Sequence, residues 1–188
     1  MTIELTGADL TIEAVRDMAD GAPAILSDSG LARMADARAV IDAAVRDRVP
    51  VYGVTTGLGP RVVDALTEEE ITAFALASVR GRAHSAGEDL PEDVCRAALA
   101  IRINTMLIGA AGVRPAMAQM LLACLNAGLA PAIRSVGSIG AADLMWGGDF
   151  GLALIGEGRM WRKGAIVPAK QALAAEGWTL RLGIRSGA

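Results

Sequence analysis

A mainly α-helical protein made of one domain is what three features of this 188-residue sequence predict. Apolar residues form 53% of the chain but aromatic ones only 3%. The apolar mass is therefore Ala, Leu, Val, Ile and Met, which suits helices packed closely together, and the scarcity of aromatics argues against a β-sandwich. Apolar residues also recur at helical spacing between recognisable caps, and strand-like runs are almost absent. Charged residues, at 21%, are too few and the chain too apolar for disorder. A net charge of −3 with scattered arginines leaves no basic footprint for nucleic acid. The domain is expected to run over residues 1–188 and to carry more apolar surface than so small a unit buries by itself.

The elements follow in order. Thr11 to Ala19 reads as a first short helix, followed by a Gly-, Pro- and Ser-rich loop. Ser29 can cap a second helix, with an apolar stripe at Leu31, Met34, Ala37, Val40, Ile41 and Ala44, closed by Pro50. Val51 to Pro60 holds three glycines and two threonines in ten residues, so it reads as a loop held by its surroundings. Thr67 and Glu70 form a capping box that opens a helix running towards His84 and Gly87. Pro91, Glu92 and Asp93 open the next, which continues through Ile101, Met106 and Leu107. Arg114-Pro115 begins an apolar helix that closes at Gly128. Ser135 to Ala142 reads as a turn, leading through Asp143 into a helix that ends near Gly156. A short helix from Pro168 to Glu176 is stopped by Gly177.

Met1 to Leu5 has no basic region before an apolar core, so no signal peptide is read and a cytoplasmic protein is expected. Cys95 and Cys124 lie in apolar helical patterns outside any CxxC pair and are expected as buried, reduced thiols. The uncharged stretch from Pro115 to Ile133 contains Gln119, Asn126, Gly128 and two prolines, and a helix ending near Asn126 is too short to cross a bilayer.

Two side chains stand out chemically. Tyr52, the only tyrosine, lies in the glycine-rich loop, where a phenol can transfer a proton or simply pack and bond a backbone carbonyl. His84, the only histidine, is open to a structural, substrate-contacting or acid/base role, and by itself builds no metal site. Gly57-Leu58-Gly59-Pro60 lacks the spacing and lysine of a phosphate loop. Ser138, in Gly137-Ser138-Ile139-Gly140, is not a nucleophile elbow.

Taken together, the blocks resemble the aromatic amino acid lyases, the family of histidine, phenylalanine and tyrosine ammonia-lyases. Tyr52-Gly53-Val54-Thr55-Thr56-Gly57-Leu58-Gly59 is similar to the family's Tyr-Gly-x-Asn-Thr-Gly-Phe-Gly loop, with Thr55 for Asn and Leu58 for Phe. His84-Ser85-Ala86-Gly87 resembles the His-x-x-Gly of the histidine-type enzymes. Arg102-Ile103-Asn104 through Gly109, Gly112, Val113 and Arg114 follows, then Leu121 to Pro131, Gly137 to Ala141, and Leu154-Ile155-Gly156-Glu157-Gly158, all in the family's order. The resemblance implies the N-terminal part of the ammonia-lyase (fumarase/aspartase-like) helical fold. It also implies that Tyr52 acts as acid or base and that His84 orients the substrate. Gly57, Leu58 and Gly59 would lie along the substrate, and the turn with Ser138, Ala141 and Ala142 would offer backbone N–H groups to an anionic centre.

Two departures shape the expected function. The family cyclises Ala-Ser-Gly, within Gly-Ser-x-Gly-Ala-Ser-Gly-Asp-Leu, into the electrophile methylidene-imidazolone. Here Gly137-Ser138-Ile139-Gly140-Ala141-Ala142-Asp143-Leu144 is one residue shorter. It lacks both the serine to dehydrate and the glycine nitrogen to attack, so no cofactor is expected. The helix after Asp143 also differs, carrying Trp146, Gly147, Gly148 and Asp149 in place of small and apolar residues. The second departure is length, since family members are more than twice as long. A second polypeptide is expected to supply the rest, within a higher hetero-oligomer. The expected function is a cofactor-less subunit for elimination, hydration or hydrolysis of a small polar substrate. The alternative is a non-catalytic subunit that stabilises or regulates a lyase-like partner.

Overall fold

The computed structural model describes residues 1–63, 65–137 and 144–178. It is mainly helical, with seven α-helices among the described residues, and differs from the sequence reading in also holding seven short strands. Strand β1 (Ile3–Leu5), helix α1 (Ile12–Ala19) and strand β2 (Ala24–Leu26) form a small parallel unit, with Ile3 opposite Ala24 and Leu5 opposite Leu26. Thr11 caps α1 by accepting from the Ala14 amide. Helix α2 spans Asp28–Arg46 and is capped by Ser27, not Ser29. The reason is tertiary: β2 delivers Ser27 in an extended conformation, its hydroxyl accepts from Gly30 N, and Gly30 packs on Leu107. The expected stripe on α2 also fails at Val40, which is 68% exposed, although Met34 is buried.

The core lies around helix α4 (Glu92–Met106), which buries Cys95, Leu99, Ala100 and Ile103 against α1 and against helix α5 (Pro115–Asn126). Buried Arg96 ties the helix ends together. Its guanidinium donates to Met18 O and Ala19 O at the end of α1 and to Leu125 O near the end of α5. Those carbonyls carry the negative ends of two helices, so the cation is both hydrogen-bonded and electrostatically matched. Asn126 both donates to and accepts from the Ala24 backbone, extending β2 with a side-chain amide. Cys95 and Cys124 are free and buried as expected, and burial pushes the Cys124 thiol up to about 12. No helix among the described residues is long and apolar enough to cross a membrane.

Helix α3 (Glu68–Arg80) opens with the expected capping box: Thr67 Oγ1 accepts from Glu70 N, and Glu70 Oε2 accepts from Thr67 N. It stops at Gly81, short of His84. Strand β3 (Ala86–Asp89) follows and pairs antiparallel with β5 (Arg134–Val136), so part of the expected turn at 135–142 is a strand. Strand β4 (Leu129–Pro131) pairs with β6 (Arg159–Arg162), and β6 with β7 (Ala165–Pro168). The β6–β7 hairpin turns through Lys163 and Gly164, both at positive φ as a two-residue hairpin requires. Helices α6 (Leu144–Leu154) and α7 (Ala169–Ala175) complete the described elements.

Candidate active site

The residues singled out by the sequence fall into two groups. The first is the loop 51–60, which proves to be held by its own atoms more than by its surroundings. Thr55, 7% exposed, is the centre of it: its Oγ1 donates to Val49 O at 2.6 Å and accepts from Val51 N at 2.7 Å. The carbonyl of Val51 accepts from the amides of Val54, Thr55 and Thr56, and Leu66 N closes the far end on Thr55 O. Leu58 packs on Gly53, where a Cβ would stand 2.9 Å from Leu58 Cδ2 and where φ is +70°. Gly57 is buried, Leu58 half-buried and Gly59 exposed.

Tyr52 projects from this frame with 61% of its surface exposed. Its hydroxyl accepts from Gly59 N at 3.1 Å. The sequence reading offered a phenol that gives its proton to a backbone carbonyl; the structure reverses that bond. The phenol oxygen is the acceptor, and the Tyr52 proton is not consumed in it.

The second group is a corner around His84, assembled from four elements. Arg82 Nη1 donates to Ser78 O, fixing the turn on the last part of α3. Gly148 of α6 lies so close to the same turn that a Cβ there would sit 2.5 Å from both Arg82 C and Ala83 N. One turn along, Gly151 meets Val79 of α3, and at the far end Arg80 and Glu157 form a bidentate ion pair. The Arg80 guanidinium holds the Glu157 carboxyl below its ordinary value. Ser85 Oγ donates to Asp149 Oδ2, and Ala86 pairs with Val136. Trp146 Nε1 donates to Arg134 O, and its indole occupies the space where a side chain at Gly137 would stand. Below them Arg159 chelates Asp89 through both oxygens at 2.5 and 2.8 Å, and that hydrogen bonding holds the Asp89 carboxyl below its ordinary value.

His84 itself is exposed between the half-buried Ala83 and Ser85. Among the described residues, no hydrogen bond or ion pair joins the Tyr52 loop to the His84 corner. Ser138, Ala141 and Ala142, expected to offer backbone amides to a substrate, lie outside the described residues. The β3–β5 pairing nonetheless sets Ala86, two residues after His84, opposite Val136, the residue before Gly137. The sequence reading missed the Ser85–Asp149 link and the close approach at Gly148. The unusual Trp146-Gly147-Gly148-Asp149 run was their only signal.

The profile of the family described as aromatic amino acid lyase matches residues 10–187. Histidine ammonia-lyase from Bacillus cereus is 37% identical over 177 residues, covering 93% of this chain and 35% of that protein. Among solved structures, an ergothioneine-degrading enzyme, ergothionase, from Treponema denticola superposes with a TM-score of 0.93 at 27% identity, over 97% of this chain and 37% of that one. Tyrosine aminomutase from Streptomyces globisporus gives 0.88 at 32% identity, over 97% and 35%. Histidine ammonia-lyase from Trypanosoma cruzi gives 0.87 at 30% identity, over 96% and 35%. The chain thus spans about a third of the length of the relatives it matches.

Proposed function

The chain belongs to the aromatic amino acid lyase family, and from that premise we propose that it is the N-terminal unit of a lyase-like enzyme that works by acid/base chemistry without methylidene-imidazolone. The observation that carries this reading is the sequence Ala141-Ala142-Asp143 at the position of the family's Ala-Ser-Gly. Without a serine hydroxyl no dehydration can give the methylidene, and without glycine the ring-closing nitrogen is hindered. The residues present do not fit the group.

In the proposed reaction Tyr52 moves the proton. Its hydroxyl is exposed, its oxygen is positioned by Gly59 N, and the buried Thr55 frame keeps the loop from collapsing onto it. As base the phenolate form takes a proton from a carbon or a water and becomes the phenol; as acid the phenol returns that proton to the leaving group. His84 orients a polar group of the substrate. Lacking the electrophile, the enzyme needs a substrate whose leaving group departs without covalent activation. Elimination or hydrolysis of a small polar molecule with such a group meets that requirement, and hydration of one has no leaving group to expel.

We propose further that the rest of the fold reaches this unit as a second polypeptide in a hetero-oligomer. Support comes from the aliphatic side chains left open beside both halves of the site: Val62 and Val63 after the Tyr52 loop, Val136 and Leu144 beside the His84 corner, each at least 42% exposed. The test is co-expression of this chain with a separate polypeptide carrying the remainder of a lyase fold. A co-purifying complex is then screened against small carboxylic and amino acid derivatives. Turnover that falls by about 10²–10⁴-fold in Tyr52→Phe, with assembly intact, supports the proposal. Unchanged turnover removes Tyr52 from the chemistry, and an intact mass lower by two waters overturns the cofactor-less reading.

A further inference from the structure

We propose that Asp149, acting through Ser85, is a positioning residue for His84. The inference rests on the reading of His84 as the group that orients the substrate.

His84 is the exposed member of a run in which its neighbours are held. Ala83, before it, has its backbone pressed against Gly148 of α6, in an approach that only glycine permits. Ser85, after it, gives its hydroxyl hydrogen to Asp149, the residue that follows Gly148. Ala86, next along, is paired with Val136. The chain therefore meets two consecutive residues of α6 on the two sides of His84: backbone against backbone at Gly148, side chain to side chain at Asp149. Fixing the residues on both sides fixes the Cα–Cβ direction of the one between, so His84 reaches into solvent from a clamped base.

Of the two contacts, the one at Asp149 is directional. A close packing contact resists approach but allows sliding, whereas a hydroxyl–carboxylate hydrogen bond is charge-assisted and confines both distance and angle. Asp149 is held in turn: α6 is anchored by Trp146 Nε1 on Arg134 O, and Arg159, chelated to Asp89, lies near enough for the Asp149 charge to favour its cation. Arg159 and Arg134 are the cations facing this corner from β6 and β5, and Asp89 faces it from β3. A carboxylate at 149 thus has countercharge nearby, and the Ser85 hydroxyl is its hydrogen-bond donor in the clamp.

His84 is the only histidine of the chain, which gives the proposal a direct readout. In protein labelled with ¹³C,¹⁵N-histidine, the wild-type chain is expected to give one narrow imidazole Cε1–Hε1 signal. Ser85→Ala and Asp149→Ala are each expected to shift or broaden it, and the double variant no further than either single one, because both remove the same link. Asp149→Asn, whose amide oxygen still accepts from Ser85, is expected to restore the wild-type signal. In the assembled enzyme the same variants are expected to lower kcat/KM about 10- to 100-fold, with the asparagine variant recovering most of it. An imidazole signal that stays put in both alanine variants, or that moves additively in the double variant, overturns the proposal. The spectrum needs no turnover, so it stands even where the acid/base reading of Tyr52 fails. Ser85→Ala removes one atom at a half-buried site and keeps the test open where Asp149→Ala does not fold.

Discussion

The loop around Tyr52 and the corner around His84 both hold an irregular, solvent-facing segment in place, and they do it with opposite means. The hydrogen bonds that close the loop stay within residues 49–66: Thr55 to Val49, Val51 and Leu66, and Tyr52 to Gly59. Those that close the corner span much longer stretches, 64 residues from Ser85 to Asp149, 70 from Asp89 to Arg159 and 77 from Arg80 to Glu157. A locally closed loop depends little on how the rest of the chain packs, so it can keep its form while its surroundings change. The corner exists only when α3, β3, β5 and α6 are all in place. One region is a self-contained presenter of a phenol; the other reports on the integrity of the fold.

The sharpest way to break that contrast is to force the corner apart. Gly148→Val introduces a Cβ only 2.5 Å from the backbone of Arg82 and Ala83, with two methyl groups beyond it, and neither backbone can move without dragging α3 or β3. A loss of about 3 kcal/mol in unfolding free energy is expected, measured by denaturant titration. Amide exchange should accelerate across residues 82–89 and 144–151 while the amides of Val54, Thr55 and Thr56 keep their protection. Equal acceleration in the loop would mean that the two regions are one cooperative unit.

The converse experiment is Thr55→Val. It keeps the volume but strips the hydroxyl, leaving Val49 O and Val51 N without the partner they have now. A cost of about 2 kcal/mol is expected, concentrated in the loop. In the assembled enzyme, turnover should fall with it, because Tyr52 loses its frame, while the His84 imidazole signal stays unchanged.

The same contrast explains what the sequence could tell. The loop was legible as irregular from its glycines, and Tyr52 stood out as the lone tyrosine, because composition is a local signal. The capping box at Thr67 was legible for the same reason, and so were the helix starts at Thr11 and Pro168, each of which lies one residue before its helix. Ser27 displaced Ser29 as a cap because the pairing of β2 with β1 and the contact of Gly30 with Leu107 decide where α2 begins, and neither β1 nor Leu107 lies near Ser29 in the sequence. The strands were missed because they are three or four residues long, too short for a period-2 pattern to register, and most are made by partners far along the chain. Gly148 and Asp149 looked like departures from a family pattern; their meaning lies in Ala83 and Ser85, far earlier in the chain.

A smaller effect is expected at the joint between the two regions. α3 follows the loop after a 3₁₀ turn at Gly59–Val63 and ends at the corner, and its first turn is held by the Thr67–Glu70 box. Thr67→Ala should cost about 1 kcal/mol. If α3 transmits nothing, neither the Thr55 amides nor the His84 signal will respond; a response in both would make α3 a coupling element and weaken the description of the loop as self-contained.

The smallest effect concerns charge. The Asp89–Arg159 pair clamps β3 to β6 below His84, and the hydrogen bonds from Arg159 hold the Asp89 carboxyl below its ordinary value. A carboxylate whose folded-state value is depressed stabilises the fold at every pH above its unfolded value of about 4, and that contribution disappears as pH falls through the lower folded value. Both side chains are about a third exposed, so solvent screens the pair and its worth is below about 1 kcal/mol. Wild type should therefore exceed Asp89→Asn by a small, constant margin in denaturant midpoint from neutral pH down to about 4, with the margin closing below that. The margin should also shrink in high salt. Because the clamp belongs to the corner, its loss on acidification should broaden the His84 signal before the loop amides lose protection. The opposite order would show that the long-range contacts, not the local ones, are the sturdier of the two.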